Sequence, residues 1–138
     1  MAKVFLIDDD VDLVEMNEMV LRKRGHEIIS AYSATEARAK LPKSRPDIIV
    51  LDVMMESRGA GFELAREIHK TYPNMPTIML TSIHEVTGVP YRFEPDESWL
   101  PVVKFMDKPV EPAKLADEIE ATLKRIAEEK EKEKKKNK

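Results

Sequence analysis

The chain has 138 residues and carries 26 acidic against 23 basic side chains, a formal charge of −3, which suits one domain and argues against sequence-independent DNA binding. It has no cysteine, which excludes disulfides, thiolate metal sites and cysteine nucleophiles. No apolar run approaches a membrane span, and the N-terminus enters Val4-Phe5-Leu6-Ile7 without a signal-peptide layout, so a cytoplasmic domain with no membrane insertion is expected.

Residues 4–7 predict a first strand, ending in Asp8-Asp9-Asp10. Asp12 and Glu15 have the spacing of a capping box, and Leu13, Met16, Val20 and Leu21 follow at near-helical spacing as far as Gly25, a C-terminal stop. Residues 27–30 predict a second strand. Ser33 and Glu36 open a helix expected to stop before Pro42. Residues 47–52 predict a third strand, whose unbroken Ile48-Ile49-Val50-Leu51 run suits a strand covered on both faces. A helix carrying Phe62, Leu64, Ala65 and Ile68 ends before Pro73, and residues 77–82 and 102–107 predict two more strands. Between them, residues 83–100 have little periodicity and read as a long irregular connection with a short helix near 96–100.

The last helix carries Leu115, Ile119, Leu123 and Ile126 as one apolar stripe. Beyond it, residues 128–138 hold four acids and six lysines, a local +2 that leaves −5 on residues 1–127. The expected organisation is therefore a domain over 1–127 and a charged tail over 128–138, either a helix extension or disordered. Strands alternating with helices predict an α/β fold with a parallel sheet.

In open α/β sheets ligands bind outside the carboxyl ends of the strands. Those ends carry Asp8 and Asp9, Asp52, Thr81 and Ser82, and Lys108 before Pro109. Gathered carboxylates repel one another unless a cation joins them, and a hard divalent ion such as Mg²⁺ prefers oxygen ligands. The Lys108 ammonium suits a carboxylate or a phosphoryl oxygen, and the Thr81 hydroxyl can donate to a newly placed anion. An acidic run alone is usually a solvated loop; complementary groups at four strand ends on one rim are a more specific signal.

The segments Lys3-Val-Phe-Leu-Ile-Asp-Asp-Asp, Pro46-Asp-Ile-Ile-Val-Leu-Asp52-Val-Met-Met, Pro76-Thr-Ile-Met-Leu-Thr81-Ser and Phe105-Met-Asp-Lys108-Pro109 resemble, in order, the receiver domain of two-component response regulators. The resemblance implies a (βα)5 flavodoxin-like sheet in the order 2-1-3-4-5. It implies that Asp52 accepts a phosphoryl group from a sensor histidine kinase or a histidine phosphotransfer protein. By the same resemblance Asp8, Asp9, Asp52 and the Met54 backbone carbonyl hold Mg²⁺, Lys108 contacts the phosphoryl group, and Thr81 and Phe105 form the switch. The partner that reads the switched state is not implied, nor is any nucleic acid.

Three departures stand out. After Asp52 relatives often read Met-Met-Pro-Gly-Met-Asp-Gly, whereas Met55 here precedes Glu56-Ser57-Arg58-Gly59-Ala60-Gly61, which predicts a reshaped loop. Thr81 and Lys108 are 27 positions apart, a few more than usual, and Ser82 replaces a common alanine. Met54 and Ile83 stand at the positions that tune hydrolysis in the family; both are apolar and unable to orient a water, which predicts a long-lived phosphorylated form. No output domain is evident, which leaves a stand-alone regulator or phosphorelay component, the expected reading, or a receiver cut from a longer protein. The competing readings are a haloacid-dehalogenase-like Mg²⁺-dependent phosphohydrolase with Asp8 as nucleophile, and a receiver-like scaffold that takes no phosphate. The histidines His26, His69 and His84 are scattered and read as surface residues.

Overall fold

In the computed structural model, which describes residues 2–52, 60–81, 103–107 and 110–136, strands and helices alternate. The order is β1 (Lys3–Ile7), α1 (Val11–Lys23), β2 (Glu27–Ala31), α2 (Ala34–Ser44), β3 (Ile48–Asp52), α3 (Ala60–Thr71), β4 (Thr77–Thr81), β5 (Val103–Asp107) and α4 (Pro112–Lys136). The strands form one sheet in the order β2-β1-β3-β4-β5 with every pairing parallel. This is the expected flavodoxin-like arrangement, and each strand lies within one residue of its expected span.

Alternation along the strands separates two cores. Phe5, Ile7, Ile49, Leu51 and Met79 face one side, where Ala34, Ala37 and Leu41 of α2 and Leu64, Ala65 and Ile68 of α3 cover them. Val4, Leu6, Ile48, Val50, Ile78 and Leu80 face the other, under Val14 and Leu21 of α1 and Leu115, Ala116 and Ile119 of α4. Every residue of β3 is buried, so the strand expected to be covered on both faces is central. Burying each such Ile, Leu or Val side chain contributes roughly 1.5–3 kcal/mol.

Two local features differ from expectation. The N-cap of α1 is Asp10, not Asp12, which lies in the first turn. Asp10 is extended at φ −85 and ψ 99, and its Oδ1 accepts the Leu13 N–H at 3.1 Å. α2 runs through Pro42 to Ser44 instead of stopping before the proline. The missing N–H falls in the last turn, and Ser44 stays tied down because its Oγ donates to the Leu41 carbonyl while Lys3 Nζ donates to the Ser44 carbonyl. The left-handed Arg45 (φ 46) then ends the helix. In the charged tail α4 continues as helix to Lys136, the helix-extension alternative, although its last turns hold no apolar residue. Glu128 with Lys132 and Glu131 with Lys135 have the i,i+4 order that supports an exposed helix. The 83–100 connection, with the short helix expected near 96–100, and residues 53–59 of the loop after Asp52 lie outside the described residues.

Candidate functional site

The parallel register brings Asp8, Asp52 and Thr81 to one edge. Ile7 pairs with Leu51, so the next residues, Asp8 and Asp52, leave neighbouring strands together. Asp52 pairs with Leu80, immediately before Thr81, and Thr81 pairs with Asp107, immediately before Lys108 in sequence. Phe105 pairs with Met79 inside the sheet. Lys108, Met54 and Ile83 lie outside the described residues.

Carboxylate oxygens of Asp8, Asp9 and Asp52 all lie within 4.8 Å of one another. Asp8 and Asp52 are buried, with 5% and 2% of their surface exposed, whereas Asp9 faces solvent. The Asp8 N–H donates to the Ala31 carbonyl at the end of β2 (3.1 Å), and Asp8 Oδ1 accepts the Asp10 N–H at 3.0 Å. Buried carboxylates at this spacing repel one another and gain strongly from a cation. Their all-oxygen, acidic donor set suits a hard divalent ion.

The opposite edge holds a cluster that sequence reasoning did not find. α1 ends in a Schellman motif: Gly25 (φ 89) donates its N–H to the Arg22 carbonyl and His26 donates its N–H to the Leu21 carbonyl. This turn aims Arg24 at α4, where Nη1 meets Asp117 Oδ1 at 2.7 Å and Glu120 Oε2 at 3.2 Å. His26 Nδ1 accepts the Ala2 N–H at 3.2 Å, and Nε2 lies 3.3 Å from Glu120 Oε2. The His26 side chain is only 9% exposed, so the surface assignment does not hold for it. Partial burial pushes the Glu120 carboxyl up, but hydrogen bonds from His26 and Arg24 and their charges outweigh it and hold it below its ordinary value. Hydrogen bonds to Asp117 and Glu120 raise the Arg24 guanidinium.

Residues 4–120 match the response regulator receiver domain. The chain belongs to this family. Solved structures with the same fold include a CheY-like receiver domain protein from Methanospirillum hungatei JF-1, 23% identical with a TM-score of 0.75, covering 94% of this chain and 98% of that one. NtrX from Brucella abortus is 24% identical with a TM-score of 0.74 over 96% of this chain, which spans 29% of that protein. The chemotaxis response regulator CheY4 of Vibrio cholerae is 29% identical with a TM-score of 0.69, covering 88% of this chain and 98% of that one. The family match favours the response-regulator reading over the phosphohydrolase reading. Among the described residues, no helix is long and apolar enough to cross a membrane.

Proposed function

We propose that this receiver domain takes a phosphoryl group onto Asp52 from a phosphohistidine of a sensor kinase or phosphotransfer protein, at a site where Asp8, Asp9 and Asp52 hold Mg²⁺. The observation that carries this reading is the convergence of the three carboxylates, with Asp52 at the end of the central strand. The family pattern adds the Met54 backbone carbonyl to the metal ligands.

In the transfer, an Asp52 carboxylate oxygen forms a bond to phosphorus as the donor's N–P bond breaks, leaving an acyl phosphate and an imidazole that takes up a proton. When bound, Mg²⁺ supplies positive charge that offsets the phosphoryl oxygens. The protein's share is positioning: the sheet register fixes Asp52 beside Asp8, and backbone hydrogen bonds fix Asp8. Lys108 contacts the transferred group, while Thr81 and Phe105 report its arrival. The donor must approach this rim, where α1 begins; Met16 and Met19 stand exposed on that helix and form apolar surface for it to cover.

Incubation with acetyl phosphate and Mg²⁺ followed by intact mass is the direct test. The parent should gain one phosphoryl adduct and Asp52→Asn none. No adduct with any donor would favour the scaffold reading, and an adduct that survives the substitution would assign another acceptor. Decay of the parent adduct tests the two apolar tuning positions. It should be slow, and Met54→Asn or Ile83→Glu should change it; fast loss insensitive to both would refute the expected long lifetime.

A further inference from the structure

Asp10 is the member of the Asp8-Asp9-Asp10 run that the carboxylate cluster leaves out, yet it contacts both the cluster and the helix behind it. Its side-chain Oδ1 accepts the Leu13 N–H at 3.1 Å, and its backbone carbonyl accepts the Val14 N–H at 3.1 Å. Its own N–H donates to Asp8 Oδ1 at 3.0 Å. The cap holds Asp10 in the extended conformation at φ −85 and ψ 99, and that conformation aims the N–H at Asp8. We infer that Asp10 is a positioning residue: by capping α1 it orients the buried Asp8 carboxylate as a metal ligand, without binding the metal itself.

This rests on the Mg²⁺ reading of the carboxylates and extends it. The coupling has a directional consequence. Asp8 Oδ1 accepts the Asp10 N–H from a backbone fixed by the first turn of α1, so loosening that turn weakens a contact that orients the carboxylate. Asn and Ser cap a helix about as well as Asp, whereas Ala does not. Asn and Ala both remove the charge, so the difference between them isolates the cap from electrostatics.

Mg²⁺ affinity by calorimetric titration and amide hydrogen exchange without metal should be measured on the parent, Asp10→Asn, Asp10→Ser and Asp10→Ala. Asn and Ser should keep the Mg²⁺ Kd within about three-fold of the parent. Ala should weaken it about ten-fold, as for other groups that orient a metal ligand. Exchange at the Leu13 and Asp10 amides should be slow in the capped proteins and faster together in Ala. Equal weakening by Asn and Ala would overturn the proposal in favour of a charge effect, and unchanged affinity in all three would overturn it outright. A rapidly exchanging Asp10 amide in the parent would also overturn it. A parent that binds no Mg²⁺ but shows the coupled exchange pattern would refute the metal reading while supporting the orientation of Asp8 by Asp10.

Discussion

The two ends of the sheet are built on opposite electrostatic principles. At the carboxyl ends of the strands, Asp8, Asp9 and Asp52 place like charges within 4.8 Å, two of them buried. At the amino ends, Arg24 and His26 meet Asp117 and Glu120, so that opposite charges and hydrogen bonds close around the turn between α1 and β2. In the first arrangement, gathered carboxylates repel one another and gain from a cation, which is why the proposed site sits there. The second ties α4 to the body with nothing added. On the proposed reading, ligand chemistry and structural fastening occupy separate edges of one domain and should respond independently to substitution.

The largest expected effect tests the cost at the upper rim. Asp52→Asn removes one of three repelling charges, so in the presence of a chelator the variant should be more stable than the parent by about 1–2 kcal/mol. Added Mg²⁺ stabilises whichever protein binds it better, so the gap should narrow or reverse with excess metal. Urea unfolding in chelator and in Mg²⁺ measures both. A variant less stable than the parent in chelator would mean that the carboxylates are already well compensated, and the contrast between the two ends would fail.

A smaller effect is expected at the lower edge. Arg24→Ala removes the ion pairs to Asp117 and Glu120 and should lower the melting temperature by about 2–4 °C. The affinity for Mg²⁺ and the uptake of phosphate should be those of the parent. Weakened metal binding would show that α4 transmits a change at one edge to the other, and the two would no longer be separable.

What could be seen in the sequence divides along the same line. The rim is legible because Asp8 and Asp52 each directly follow an apolar run, so strand assignment alone places them, and parallel pairing does the rest. The lower cluster was hidden because its members are distant: His26 meets Ala2 from 24 positions away and Glu120 from 94. No local pattern announces that pairing. Gly25 did mark the end of α1 but not the direction in which its Schellman turn sends Arg24. Asp10 was obscured for another reason. Asp12 and Glu15 satisfy the same capping spacing two positions later, and only the backbone geometry chooses between them. Pro42 misled because a proline stops a helix interior more reliably than its final turn.

The smallest effect isolates a single carboxylate. Glu120 is held below its ordinary value of 4.5, so in the folded protein it stays charged to lower pH than in the unfolded chain. Its contribution to stability is therefore complete above 4.5 and is lost as pH falls through the lower folded value. Because 42% of the side chain is exposed, solvent screening limits the contribution to a few tenths of a kcal/mol, roughly that of an ordinary surface pair. Glu120→Gln should be less stable than the parent by that amount near neutrality, and the two should converge in acid. Denaturant unfolding at about pH 6 and about pH 3 compares them, and titrations elsewhere cancel in the difference. A gap that persists unchanged at the lower pH would assign the role of Glu120 to packing or to hydrogen bonds its amide keeps. The lower edge would then be held by shape, and the electrostatic contrast between the two ends would rest on Arg24 alone.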